Sequence, residues 1–145
     1  MKDSVYRRII NFKKKYPLTV AFRLRKHADV IENILDEDEK VLYAFCGQKA
    51  LAHNVFFSSC AIALTNKRLL VGQKRVFWGY LITSVTPDLF NDLKVEASLL
   101  WGKIIIDTAK EKLFVSNLDK ASLDEVETAV NRIMQDIKID LSEES

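Results

Sequence analysis

The chain has 145 residues, 48% of them apolar and 29% charged, with a net charge of +2, which suits one soluble globular domain with a core of its own. Four glycines and two prolines exclude a collagenous or low-complexity chain, and the longest run without Lys, Arg, Asp or Glu, residues 50–66, is too short and too polar to span a bilayer. The small net charge hides an asymmetry: residues 1–27 carry nine Lys or Arg against one acid, whereas the rest carries thirteen against nineteen, a basic arm on an acidic body.

In chain order, Ser4–Tyr16 reads as an amphipathic helix, with Val5, Ile9, Phe12 and Tyr16 on one line and Arg7, Arg8, Lys14 and Lys15 off it. These cations, with Lys13, interrupt any apolar stretch that a secretory signal needs, so a cytoplasmic protein is expected, peripheral to the membrane if the arm meets lipid. Pro17 ends this helix. A second is expected from Pro17 or Leu18 to about Leu35, with Val20, Leu24, His27, Ile31 and Ile34 or Leu35 as its stripe; the acidic run Asp36–Glu39 stops it and reads as a solvated connection. Residues 1–38 thus form an N-terminal basic helical segment, whose apolar stripe needs a partner, the nearest being the domain that follows.

Val41–Gln48 is a strand with both faces apolar, hence covered on both sides, and Gly47–Val55 connects it to the strand Phe57–Leu64. Thr65-Asn66-Lys67 makes a turn, because Asn tolerates positive φ and bonds its own backbone. Arg68–Val71 resumes a strand, Gly72–Arg75 turns, and Val76–Leu81 begins another with bulky β-formers. Ile82–Thr86 is a short strand ended by Pro87-Asp88, Leu89–Ala97 makes a long loop whose folding back as an extra hairpin the sequence leaves open, and Leu99–Ala109 and Lys112–Leu118 flank a turn at Lys110-Glu111. The period then changes to 3.6: Leu123, Val126, Val130, Ile133 and Ile137 form a helical stripe, with Ser122 and Glu125 spelling a capping box. Residues 140–145 form an acidic tail expected to fray.

The stretch Leu64-Thr65-Asn66-Lys67-Arg68-Leu69-Leu70 resembles the hairpin signature of bacterial pleckstrin-homology-like domains and the related GRAM domains, and Ile82-Thr83-Ser84-Val85 is similar to the family's short fifth strand. The resemblance covers Val41 to about Met134. It implies a mainly β protein with helices: a seven-strand, partly open barrel or sandwich of two near-orthogonal sheets, capped by the C-terminal helix, over residues 39–139, with the two N-terminal helices outside it. It also implies an open rim where three turns meet, bringing Lys49 and His53, Lys74 and Arg75, and Lys110 and Lys112 together as a ligand rim. The lipid motif of the eukaryotic relatives is missing, since Phe57–Leu64 holds no Lys or Arg.

No catalytic set is present: His27 and His53 stand in unlike contexts, and HExxH, GxSxG and glycine-rich phosphate loops are absent. Cys46 and Cys60 sit inside strands, without CxxC or His spacing, so they read as reduced core residues, and neither a metal nor a cofactor is expected. The sequence therefore points to a noncatalytic binding or scaffold module acting through protein–protein contact or self-association. The alternative is an anionic membrane surface met by the rim and by the basic arm, Arg7, Arg8, Lys13, Lys14 and Lys15. Nucleic acid is the least favoured partner, because aromatic stacking platforms are sparse beside the arm.

Overall fold

Period-two stretches from Val41 to Asp119 pair as seven antiparallel strands in one curled sheet, in a computed structural model that describes residues 4–50 and 57–144. The elements are α1 (Ser4–Lys15), α2 (Leu24–Glu32), β1 (Val41–Ala50), β2 (Phe57–Thr65), β3 (Leu69–Lys74), β4 (Tyr80–Val85), β5 (Phe90–Ala97), β6 (Trp101–Thr108), β7 (Lys112–Asp119) and α3 (Leu123–Glu144). The strand order is β4-β3-β2-β1-β7-β6-β5, so β4 and β5 are the free edges of a half-barrel.

Register explains where the helices go. Tyr43 and Phe45 stand beside Leu64 and Ile62, which stand beside Leu69 and Val71; this face is bulky. On the opposite face, Ala44, Cys46, Ala61, Ala63 and Gly72 leave room for close approach. There α2 lies across β2 and β3, while α1 lies along β1. A Cβ on Gly72 would stand 2.8 Å from the Ile31 side chain, so glycine is required by the approach of α2. The capping helix α3 packs on β5 and β6 and reaches β1 and β2, where the Tyr43 hydroxyl donates to Glu125 at 2.8 Å. Val5, Ile9, Phe12, Ala28 and Ile31 of the two N-terminal helices belong to the same buried cluster as Phe45, Ala61, Leu70 and Val130.

β1 and β7 pair only at Gln48↔Ser116 and Lys49↔Val115, which leaves the first half of β1 without a partner on that side. Residues of α1 and α3 occupy the opening. Arg8 donates to the Leu42 carbonyl, the Phe12 ring lies 5.8 Å from that of Phe45, and Glu125 accepts from Lys15, Tyr16 and Tyr43.

Five expectations from sequence are corrected. Residues 17–23 are not helix: a turn closed by Thr19 N–H to the Tyr16 carbonyl leads into a strap, and the N–H groups of Leu18, Val20 and Phe22 donate outward to the Asp119 carboxylate, the Asn117 carbonyl and the Ser59 hydroxyl. Arg23, at φ 55°, then turns the chain into α2, which stops at Glu32. Val76–Leu81 and Ile82–Thr86 are not two strands; Val76–Gly79 make the β3/β4 turn, closed by Arg75 N–H to the Gly79 carbonyl, and β4 follows as one strand. Leu89–Ala97 is not a plain loop: it folds back, the alternative the sequence left open, as β5 against β6, its alternation hidden by a register shift between Phe90 and Asp92. The capping box is not made: Ser122 donates to the Asp119 carbonyl, the Asp119 carboxylate accepts from Ala121 N–H, and Glu125 is taken by its three donors.

The fifth correction concerns the acidic run. Glu39 is fully buried, and Arg68 meets it with two bonds, Nε to Oε2 at 3.0 Å and Nη2 to Oε1 at 2.9 Å. Thr65 Oγ1 donates to the same carboxylate at 2.6 Å and accepts from the N–H groups of Lys67 and Arg68. The Asn66 N–H donates to the Lys40 carbonyl while the Asn66 side-chain oxygen accepts from the Lys40 N–H, and Lys67 pairs with Asp36 and Asp38. Arg68 also donates to the Ile34 carbonyl and the Ser84 hydroxyl, so the signature turn clamps the chain after α2 to β2, β3 and β4. Burial alone would raise the Glu39 carboxyl, but the bonds from Arg68 and Thr65 outweigh it and hold it below the usual carboxylate range.

Cys46 and Cys60 are both free and buried, and burial pushes each thiol up to about 12. Cys46 stands opposite Ala61 and Cys60 opposite Gly47, so adjacent register positions point them to opposite faces.

Replacing Arg68 by Met strands a buried carboxylate and is expected to cost about 3 kcal/mol, near the low end for breaking a buried pair. Glu39→Gln leaves an Arg68 side chain that is 21% exposed, and should cost less. Urea midpoints measure both, and losses below about 0.5 kcal/mol for each, the level of an ordinary surface change, would contradict the clamp.

Candidate binding surface

The β3/β4 hairpin is fixed at its base and bare at its tip. At the base, Gln73 is buried and donates to the Ser58 and Ser59 carbonyls at 3.2 and 3.1 Å. The Lys74 N–H donates to His27 Nδ1 at 2.8 Å, and the Lys74 carbonyl accepts from Arg23. Because the imidazole accepts at Nδ1, its proton sits on Nε2, and burial, aided by the Arg23 charge, pushes its pKa down to about 4. The hairpin is thus bolted to α2 through a neutral histidine.

Past Lys74 the character changes abruptly. Val76, Phe77 and Trp78 are 74%, 87% and 78% exposed, with Gly79 at φ 79° completing the turn and Tyr80 exposed behind it. The Phe77 and Trp78 rings lie 6.1 Å apart and cover nothing of the core. Phe22 of the strap is also exposed, and its N–H bonds Ser59, the residue whose carbonyl holds Gln73, so it lies at the same end. Cations surround the base: Arg23 and Lys26 from the α2 region, Lys74 and Arg75 from the hairpin. An open cleft of about 460 Å³ lies between α2 and the hairpin, lined by Lys26, Asp29, Val30, Ile34, Lys74 and Tyr80.

The residues expected to form a ligand rim are distributed as follows. Lys74 and Arg75 stand at the hairpin base and turn. Lys49 is partly buried in β1 between Ser58 and Val115. Lys110 and Lys112 are exposed around the β6/β7 turn, which Thr108 organises by accepting from the N–H groups of Lys110 and Glu111. His53 lies outside the described residues. Strand directions put the end of β3 and the start of β7 at one end of the sheet, but three strand spacings separate them, about 14 Å before curvature. The cations beside Lys74 are instead Arg23 and Lys26.

Of the arm residues, Arg8 donates to the Leu42 carbonyl, Lys13 to the Pro17 carbonyl, and Lys15 pairs with Glu125; Arg7 and Lys14 are exposed on α1. Lys15 is thus matched by an acid, whereas Arg8 and Lys13 keep their charge while bonded to carbonyls. Sequence reading missed Val76–Trp78 as a tip, because bulky β-formers between two basic residues and a tyrosine look like strand. The available signal was Gly79, two residues beyond Phe77, where a turn needs positive φ. Among the described residues no cluster of three His, Cys, Asp or Glu is placed to hold a metal, and no helix is long and apolar enough to cross a membrane.

A seven-strand half-barrel with a capping C-terminal helix defines a domain of the pleckstrin-homology-like class. Residues 35–132 match the family described as Bacterial PH domain, and the chain belongs to that family. Among solved structures, the crystal structure of a pleckstrin homology domain from Shewanella amazonensis SB2B is similar, with 13% identity and a TM-score of 0.50 over 85% of this chain and 98% of that one. At that identity the likeness is one of fold. No curated protein matches the chain. The matched span begins at Leu35, so it includes the Glu39–Arg68 clamp and leaves out α1, the strap and α2.

Acidification should probe the histidine bolt. The unfolded chain binds a proton on His27 near pH 6.5 and the folded chain only near 4, so stability rises with pH across that window and is lost as pH falls through it. A loss on the order of 2 kcal/mol between pH 7 and 4 is expected in denaturant melts. His27→Asn keeps an acceptor for Lys74 N–H but does not titrate, and should flatten the slope; an unchanged slope would contradict the assignment. Glu39, whose carboxyl is held low, adds its own loss further down, as pH falls below the ordinary carboxylate range.

Proposed function

We propose that this protein is a noncatalytic binding module that meets its partner with the tip of the β3/β4 hairpin and the cations around its base. The observation that carries the reading is the contrast within one hairpin: Gln73 and Lys74 are locked to β2 and α2, while Val76, Phe77 and Trp78 stand almost wholly in water. Large apolar side chains clustered on a surface mark interaction sites, and a rigid base means that little ordering cost opposes contact. Among the described residues the candidate reactive groups support no chemistry: His27 is buried and neutral, both thiols are buried and raised, and Glu39 and Glu125 are saturated by donors.

Membership of the bacterial PH family supports a binding role at the level of class. Protein–protein contact and self-association, the readings favoured by sequence, would use the tip. Arg23, Lys26, Lys74 and Arg75 add a preference for a partner with negative charge.

Phe77→Ser with Trp78→Ser tests this. Both side chains are exposed, so the urea midpoint should move by no more than about 0.5 kcal/mol. In fractionated extract of the native cell, the unaltered protein should sediment or elute as a bound species and the double variant as a free monomer. Identical profiles for the two would remove the tip as the contact surface.

A further inference from the structure

Resting on the reading of the hairpin as a contact surface, we propose that its partner is a second copy of this chain, joined along the free edge of β4. The two β4 strands run antiparallel about a two-fold axis at Ile82, and each hairpin tip lies against the corner where the partner's β4 ends.

The two free edges of the sheet are unlike. β5 carries Asp92, Lys94 and Glu96, is bent by a register shift after Phe90, and is packed by α3, all of which discourage a further strand. β4 has no charge and no proline, and its register with β3 is unbroken over its whole length. A regular, uncharged edge is a template for another strand. One such edge per copy gives a closed pair, whereas two would give a fibre.

Hydrogen bonding fixes which groups wait at this edge. Lys74 turns its N–H to His27 and its carbonyl to Arg23, away from β4, so Lys74 and Tyr80 stand opposite without exchanging bonds. The next N–H, of Arg75, bonds the Gly79 carbonyl, as alternation requires. The outward N–H and carbonyl groups of β4 are therefore those of Tyr80, Ile82 and Ser84, and among the described residues no other segment bonds them. An axis normal to the sheet keeps each face continuous, so Ile82 meets its own counterpart and Tyr80 meets the partner's Ser84. About six main-chain bonds then form. Leu81 meets the partner's Thr83, and no like charges stand opposite.

The same axis accounts for the tip. Counting outward from Ile82, Phe77 comes level with the partner's Pro87 and Trp78 with the partner's Thr86. Arg75, whose Cδ would lie 3.9 Å from a Cβ on Gly79, leans over the turn toward this edge, and the exposed acid at the facing corner is the partner's Asp88. Unlike charges thus meet twice, once on each side of the axis. Aromatic side chains bury about 150–250 Å² each, so Phe77, Trp78 and Tyr80 with the strand edge reach the roughly 800 Å² per partner of a stable interface.

Sedimentation velocity of the purified full chain, from micromolar to millimolar concentration, tests the proposal. The chain should be a dimer in exchange with monomer. Phe77→Ser with Trp78→Ser should weaken association about tenfold or more, as loss of two buried aromatic rings requires. Arg75→Glu should weaken it, and adding Asp88→Arg should restore it; urea midpoints taken at concentrations where every form is monomeric should all be native. Register is read with cysteines. Ile82 stands on the axis with its Cα about 5.5 Å from its counterpart, within disulfide reach, while Tyr80 is about 14 Å from its own. Ile82→Cys should give a disulfide-linked dimer on mild oxidation and Tyr80→Cys should not, the native Cys46 and Cys60 being buried.

A chain that stays monomeric, a dimer indifferent to the tip variant and to the Arg75 and Asp88 exchange, or crosslinking by Tyr80→Cys in place of Ile82→Cys would overturn the proposal. If the purified chain is monomeric while the tip variant loses its bound species in cell extract, the second copy falls and the hairpin remains the contact surface for another partner. If the chain is monomeric and the extract profiles are identical, both readings fall together.

Discussion

The Glu39–Arg68 pair is the constraint on which the arrangement depends. A buried carboxylate is costly unless its charge is matched, and here two guanidinium bonds, the Thr65 hydroxyl and the Asp36 N–H all point at it. Such a pair adds little net stability over an apolar substitute, but it fixes geometry, because a wrong register would leave the charge alone. The elements it holds are those that must be placed together: the chain just after α2 through the Ile34 carbonyl, the start of β1 after Glu39, the β2/β3 turn, and β4 through Ser84.

With that corner fixed, the rest follows from the two faces of the sheet. Small residues on β1, β2 and β3 let α2 descend until Ile31 meets Gly72, which carries His27 to the Lys74 N–H and so sets the base of the β3/β4 hairpin. The strap from Pro17 to Arg23 ties the same helices to β7, the other neighbour of β1, through Asn117 and Asp119. Glu125 closes the gap between β1 and β7 by collecting donors from α1 and β1. The exposed tip is rigidly carried because everything beneath it is satisfied.

Strong periodicity was legible. The α1 stripe of Val5, Ile9 and Phe12, the α3 stripe of Leu123 to Ile137, and the signature turn all appear in the structure as read. What was hidden has local causes. The bulge after Phe90 breaks the alternation of β5, and the strap imitates a helix because Val20, Leu24, His27 and Ile31 keep helical spacing across the Arg23 turn. Glu39 could not be distinguished from its acidic neighbours, since only the fold brings Arg68 and Thr65 to it. At the candidate site, Lys74 and Arg75 were legible as turn cations, but Phe77 and Trp78 read as strand because β-propensity measures fit to a half-buried surface, and a hairpin tip offers none.

The central claim is that the N-terminal helices and the half-barrel form one cooperative unit, although the family match starts only at Leu35. Native-state hydrogen exchange tests it most directly. The amides of Val20, bonded to Asn117, and Lys74, bonded to His27, should exchange with the same opening free energy as that of Thr65, bonded to Arg68, because all three are freed only by global unfolding. Exchange of Val20 and of the α1 and α2 amides at free energies several kcal/mol lower than Thr65 would contradict the account, and would make residues 1–38 a separable arm.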